Sequence, residues 1–305
     1  MSVARLGRKL YTAAVMSEDQ PVRLVLAAIA LLCAGGMPAA QAQDVSAWKQ
    51  EPHAGARLIA GAARTSPDGS WLRAGIEVRL DPGWKTYWRY PGDSGVPPTF
   101  DFANSENVKS VTTLWPAPRR FADGAGGHSI GYAGDVVWPL RIVPEDTAKP
   151  ALLHVKLAYA VCRELCVPAE ADLDLALSGK VDAEEPALAA AEARVPQRIA
   201  LGGAGSDGLS IRSVHREASG SHERVVIDVV APKGVPLDLF VEGPSSDWAL
   251  PLPEPVKLPP DAAPGMRRFS FDLDGVPPGA HDKGALLTLT AVSPMDAIEV
   301  EAGLD

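Results

Sequence analysis

Positive charge is in short supply, with 29 lysines and arginines against 38 aspartates and glutamates and a formal net charge of −9. Neutralising a phosphate backbone requires a basic surface, so nucleic acid is excluded as a partner. Long apolar runs are missing too. The amino-terminal run, residues 24–33, is ended by Gly35, Gly36 and Pro38, well short of the roughly 20 residues a spanning helix needs. Aromatic residues make up only 6%, while glycine and proline reach 28 each, which argues against a helical bundle and for many turns and short elements. No Ser, His and acid stand at a recognisable triad spacing, so a hydrolase is not supported. His-rich and Met-rich tracts that would mark a metal-handling segment are absent from the sequence. What is present is a chain of 305 residues, enough to bury one large core or two ordinary ones without staples.

The amino terminus has the layout of a targeting segment. Arg5, Arg8, Lys9 and Arg23 precede the apolar run, and Ala40-Gln41-Ala42 has the A-x-A form of a signal-peptidase site. A secretory signal over residues 1–42 is therefore expected, with the mature protein beginning at Gln43 and located in the periplasm. Leu32 stands where a lipobox wants a small residue ahead of Cys33, which argues against a lipoprotein. Translation from Met16 would give a more compact signal.

Beyond residue 57 strand-like runs alternate with turn signals, at residues 72–80, 136–143, Ala151–Cys162 and Cys166–Leu177. In the last of these Leu173, Leu175 and Leu177 share one face while Asp172 and Asp174 take the other, as in a half-buried antiparallel strand. Residues 178–194 are rich in Ala and Glu, and Pro186 opens at most two helical turns. Together with the Gly-rich residues 201–208 this predicts a linker over 181–208. Gly203, Gly205 and Gly208 fit G-x-G-x-x-G, but a strand pattern follows where a dinucleotide site requires a helix. Further strands are expected at 225–230, 237–241, 268–273, 286–292 and 297–300. The expected fold class is all-β, with two immunoglobulin-like β-sandwich domains at 43–180 and 209–305 that fold separately.

Once the signal is removed, Cys162 and Cys166 are the remaining cysteines, and in an exported protein two such close thiols should pair. Four extended residues would hold their Cα atoms about 13 Å apart, whereas a disulfide needs less than about 7 Å. The chain must reverse between them, and a hairpin tip at Arg163, Glu164 and Leu165 does this. Closing so short a loop yields about 2 kcal/mol in the chain-entropy model, against about 4.7 kcal/mol for a 100-residue loop. A structural staple thus gains little, and a bridge across a tight exposed turn is easily reduced, which favours a redox role. Two rivals stay open: the structural staple, and a Cu(I) site in which His154 or Met266 joins the two thiolates.

Four segments carry a resemblance to a known family. They are Gly83-Trp84-Lys85-Thr86-Tyr87-Trp88-Arg89-Tyr90-Pro91-Gly92-Asp93-Ser94-Gly95, then Trp115-Pro116-Ala117-Pro118-Arg119-Arg120-Phe121, Gly131-Tyr132-Ala133-Gly134, and Tyr159-Ala160-Val161-Cys162-Arg163-Glu164-Leu165-Cys166-Val167-Pro168. In combination they resemble the periplasmic amino-terminal region of the thiol:disulfide interchange protein DsbD, in particular its copper-sensitivity-suppressor (ScsB-like) branch. The resemblance implies an immunoglobulin-like domain whose paired cysteines accept electrons from a DsbD/ScsB-type membrane partner and pass them to oxidised periplasmic proteins, with a thioredoxin-like protein as exchange partner and no cofactor. It makes Cys162 and Cys166 the catalytic pair, with Cys166 as the attacked sulfur and Cys162 as the resolving one.

The family's better-known member has a longer cysteine spacer and an acidic and aromatic cap loop. The matching residues 122–130 are Gly-rich here, which leaves Phe121, His128 and Tyr132 as candidates for cover or proton transfer. Trp84, Tyr87, Trp88, Trp115 and Trp138 read as core and edge packing, and Arg89, Asp93 and the Pro97-Pro98 pair as a loop. No membrane module or thioredoxin-like domain follows Asp305, so the electron source is expected on a separate polypeptide. The rival class is a non-catalytic periplasmic binding or copper-handling module.

Overall fold

The computed structural model describes residues 44–67, 69–123, 126–180, 183–219 and 222–305. The signal expected at 1–42 and the new terminus at Gln43 lie outside the described residues.

The first half supplies β1 (Lys49–Glu51), β2 (Ala54–Ala60), β3 (Arg64–Ser66), β4 (Gly69–Leu80), β5 (Lys85–Gly92), β6 (Thr99–Asp101), β7 (Val108–Thr113), β8 (Arg119–Ala122), β9 (His128–Ala133), β10 (Val136–Pro144), β11 (Ala151–Cys162) and β12 (Cys166–Leu177). A helix, α1 (Glu185–Glu192), follows. The second half supplies β13 (Gln197–Arg198), β14 (Ser210–Ser219), β15 (His222–Val230), β16 (Asp238–Glu242), β17 (Glu254–Val256), β18 (Met266–Asp272), β19 (Ala285–Val292) and β20 (Ala297–Leu304).

These strands form four sheets. In the first half β1-β2-β4-β10-β7 faces β12-β11-β5-β9-β8, with β3 attached to β4 and β6 to β11. In the second, β13-β20-β19-β16 faces β14-β15-β18-β17. The fold is all-β, two packed sandwiches of the immunoglobulin-like kind. Period two does the sorting: along β12 every second residue from Ala169 to Leu177 is buried and the residues between are exposed. The first core is centred on Trp138, which Phe100, Trp115 and Tyr132 each meet edge-on at ring-centroid distances of 5.5 to 6.1 Å. The second is built on residues such as Ile227, Leu239, Phe269 and Leu289.

The segment expected to be a linker is anchored instead. α1 has Pro186 in its first turn and about two turns of length, as its sequence predicts. Its buried Leu188 packs where a side chain on Gly61 or Gly75 would collide with it. Arg73, only 3% exposed, donates to Glu185 and, at 2.9 and 2.8 Å, to Glu192. Glu185 also accepts from the Ala62 N–H at 2.6 Å and from Arg64 at 2.7 Å. Past the helix, the Ala117 N–H donates to the Arg194 carbonyl at 2.7 Å, and β13 runs parallel to β20. Composition marked this stretch as a connection but carries no trace of the distant arginine that holds it. The Gly-rich turn at 203–208 leads into β14, a strand and not a helix, in line with the sequence.

The described residues from 44 to 305 form a single compact unit. Phe240 and Leu252 of the second half are buried in the core of the first. Arg120 at the start of β8 reaches Asp238 at 3.0 Å, Glu254 at 2.5 Å and the Leu239 and Pro253 carbonyls.

Candidate functional site

β11 and β12 are a continuous antiparallel hairpin whose twelve register pairs end at Cys162↔Cys166. Arg163, Glu164 and Leu165 make the turn, with the Arg163 N–H donating to the Leu165 carbonyl at 3.2 Å. The Cα atoms of the two cysteines lie 4.1 Å apart and the sulfurs are joined. The hairpin and its tip are where the spacing of the cysteines put them. The two ends of the bond differ in access: Cys162 is 2% exposed, whereas Cys166 is exposed and Leu165 beside it is 79% exposed.

Which face of the sheet the pair occupies follows from β11, where Leu153, Val155, Leu157, Tyr159 and Val161 enter the core. Ala160 and Cys162 point to the opposite, outer face. On neighbouring β5 the residues of that outer face are Lys85 and Tyr87, with Lys85 the register partner of Cys162. Tyr87, Ala160 and Cys162 form a small buried cluster of their own. The Tyr87 hydroxyl donates to Cys162 Sγ at 2.8 Å and lies 3.2 Å from Cys166 Sγ. Burial pushes the Tyr87 phenol above its ordinary range, so the hydroxyl keeps its proton and acts as a donor.

A loop covers this phenol. Residues 93–98 follow β5, and Gly95 sits against the Tyr87 ring so closely that any Cβ there would run into it. The loop is held from the side: Ser94 Oγ donates to Asp123 at 3.1 Å, the His128 N–H donates to Asp93 at 2.8 Å, and the Asp93 N–H donates to the His128 carbonyl at 2.9 Å. Val96 in the same loop is 59% exposed.

The three residues proposed as cover behave differently. Phe121 lies on the outer face of β8 and reaches the site through Lys85, whose Nζ is 5.5 Å from its ring centroid and donates to Ser129 Oγ at 2.9 Å. His128 joins the loop through its main chain, and none of its described contacts meets a sulfur. Tyr132 is corrected. Its ring belongs to the first core, its hydroxyl donates to the Pro116 carbonyl at 2.9 Å, and burial raises its phenol strongly. Period two places Ile130 and Tyr132 inward on β9 and Ser129 and Gly131 outward, so Tyr132 faces away from the disulfide.

The copper alternative required His154 or Met266 beside the sulfurs. His154 lies between Asp174 at 2.7 Å and Asp172 at 3.1 Å. It stands eight residues back along β11, about 26 Å in an extended strand. Met266 opens β18 in the second sandwich. No cluster of three side chains suited to a metal occurs among the described residues. Arg89, read as a loop residue, is in β5.

Sequence reasoning missed Tyr87, Lys85 and the loop at 93–98 as parts of the site. Tyr87, Lys85 and the first half of that loop fall in the segment from Gly83 to Gly95 that carried the family resemblance, and Tyr87 was assigned to packing.

The family model described as thiol:disulfide interchange protein DsbD, N-terminal, matches residues 57–178. The crystal structure of the N-terminal periplasmic domain of ScsB from Proteus mirabilis is similar at a TM-score of 0.64 and 23% identity, covering 86% of this chain and 99% of that one. No curated protein matches. Residues 57–178, which hold the first sandwich and its cysteine hairpin, are thus similar to the DsbD N-terminal family, and the chain shares its fold with the ScsB periplasmic domain.

Proposed function

We propose that the protein is a periplasmic thiol-disulfide interchange protein that passes reducing equivalents through Cys162 and Cys166, between a DsbD/ScsB-type membrane reductase and thioredoxin-like periplasmic proteins. The observation that carries this reading is the asymmetry of the pair: an exposed Cys166, a buried Cys162 and one phenol within hydrogen-bond reach of both sulfurs.

In the reducing half, a thiolate of the donor attacks Cys166 Sγ. A new S–S bond forms between the two proteins as the Cys162–Cys166 bond breaks, and Cys162 leaves as a thiolate next to the Tyr87 hydroxyl. The donor's second thiolate then attacks its own sulfur in the mixed disulfide and releases Cys166. Two electrons and two protons have moved, the donor is a disulfide, and this chain holds two thiols. In the delivering half Cys166 attacks the oxidised acceptor, and Cys162 resolves the resulting mixed disulfide. A donor poised beside the departing sulfur lowers the barrier in both directions, because hydrogen bonds to a charged sulfur are stronger than those to a neutral one.

Export is supported by the basic and apolar amino terminus with its A-x-A site and by the use of the cysteines as a pair. The reduction potential of the pair tests the function. A value in the range of interchange proteins, about −180 to −270 mV, is expected, and one below about −300 mV, as in structural disulfides of secreted proteins, overturns it.

A further inference from the structure

The register of β5 breaks where the surroundings of the disulfide are built. Pairing with β9 runs from Lys85↔Ala133 to Tyr87↔Gly131 and resumes only at Gly92↔Ser129. Pairing with β11 is confined to Lys85 and Thr86. Residues 88–91 therefore lack the regular ladders that fix a strand from its two sides. This is the stretch between Tyr87, which reaches both sulfurs, and the loop at 93–98 that lies on its ring.

The second sandwich holds what the ladders do not. Arg89 donates through Nε to Glu242 Oε2 at 2.9 Å, through Nη2 to Glu242 Oε1 at 2.6 Å, and again to Glu299 at 2.5 Å. Glu242 closes β16 and Glu299 lies in β20, two strands of one sheet. The Tyr90 hydroxyl donates to the Leu250 carbonyl at 2.6 Å, and the Trp88 ring packs on Phe240 at 5.8 Å. Three successive residues of β5 are thus gripped by the other sandwich. Arg89 lies two residues beyond Tyr87 in the same strand. The planar fork of an arginine, bonded to two carboxylates, fixes direction as well as distance.

We propose that the second sandwich is a positioning element for the cysteine pair, holding β5 through Arg89 so that the Tyr87 hydroxyl and the loop over its ring keep their places beside Cys162 and Cys166. This rests on the interchange function proposed above and gives the second sandwich a part in it. Arg89 touches neither sulfur in any described contact, so it is a positioning residue and not a catalytic one. A donor held in place favours a thiolate over a disulfide sulfur. Loosening it therefore penalises the reduced pair, shifts the exchange equilibrium toward the disulfide and slows the departure of Cys162. A merely structural contact would instead stabilise oxidised and reduced protein equally and leave the equilibrium where it was.

The test compares Arg89→Met, Arg89→Lys and Tyr90→Phe in the full chain. It measures the exchange equilibrium with glutathione, the rate of reduction by a thioredoxin-like protein, and thermal midpoints of both redox forms. Arg89→Met is expected to shift the equilibrium about three- to tenfold toward the disulfide, tenfold being about 30 mV for a two-electron couple. Arg89→Lys, which keeps the charge and loses the fork, should fall between it and the wild type. Tyr90→Phe removes one hydrogen bond and no charge, so it should shift the equilibrium in the same direction even if Arg89→Met does not fold. Folded variants with wild-type equilibrium and rate, melting lower by equal amounts in both forms, would overturn the positioning role alone. A wild-type pair that the thioredoxin-like protein cannot reduce would overturn the function and this role together.

Discussion

One hydroxyl, that of Tyr87, lies 2.8 Å from Cys162 Sγ and 3.2 Å from Cys166 Sγ, so a single buried donor meets both ends of the disulfide. It is an outer-face residue of β5 that reaches across to the tip of the neighbouring hairpin, and it carries its proton throughout the neutral range because burial raises its phenol.

Tyr87→Phe keeps the ring under Gly95 and removes only the donor. The lost bond to a charged sulfur is worth about 1.5–3 kcal/mol, roughly a tenfold or larger effect, against about 0.5–1.5 kcal/mol for a neutral one. The reduced Cys162 thiol should therefore titrate at higher pH than in the wild type, and the oxidised protein should lose little stability. Thiolate absorbance followed against pH, with urea unfolding of the oxidised form, checks both. An unchanged thiol titration would remove Tyr87 from the site.

Cys162→Ser should accumulate a mixed disulfide through Cys166 with a thioredoxin-like or membrane partner, because the exposed sulfur remains and the resolving one is gone. Cys166→Ser should not, since Cys162 is 2% exposed. Non-reducing electrophoresis and mass spectrometry of extracts read the difference. Equal trapping by both variants, or by neither, contradicts the assigned order of attack.

Gly95→Val places a side chain against the Tyr87 ring and must displace the loop. If that loop restricts access to the disulfide, reduction by a small thiol should speed up several-fold, at a cost of about 1–3 kcal/mol for an overpacked contact. Stopped-flow reduction with dithiothreitol measures it, and an unchanged rate would show that the loop does not gate the bond.

Arg73→Met should cost about 2–3 kcal/mol, somewhat below the range for a fully buried ion pair because Glu185 and Glu192 keep some solvent. Burial of Glu185 alone would raise its carboxyl, but the Ala62 N–H and the Arg73 and Arg64 guanidinium groups outweigh it and hold the group below the ordinary glutamate range. A carboxyl lowered by folding contributes stability above its unfolded titration range and loses that contribution as pH falls through its folded one. The wild type should weaken as pH drops below the ordinary glutamate range, and Arg73→Met should flatten that dependence. Denaturant midpoints at several acidic pH values decide it.

The hairpin was readable because its signals are local: the alternation of Leu173, Leu175 and Leu177 with Asp172 and Asp174, and a cysteine spacing that permits a bond only across a turn. Tyr87 was not readable as a site residue, because Thr86, Tyr87 and Trp88 are all buried, at 1%, 3% and 0% exposed. A strand covered on both faces loses the period that tells inside from outside. The same double burial runs through Ser129, Ile130, Gly131 and Tyr132 of β9 and hid the inward direction of Tyr132. The hold on α1 depends on Arg73, whose partner carboxylates lie 112 and 119 positions along the chain. No local pattern records a pairing of that separation.

The order of contacts along the chain separates the chemistry of the pair from its tuning in folding time. Cys162 and Cys166 are four positions apart and form the register pair next to the turn of a twelve-pair hairpin. A hairpin closes in about 1–10 μs without help from the rest of the protein. Tyr87 reaches Cys162 from 75 positions away, and Arg89 meets Glu299 across 210, contacts whose loop-closure entropy delays them. The cysteine hairpin can thus close before the long-range contacts of Tyr87 and Arg89 are made.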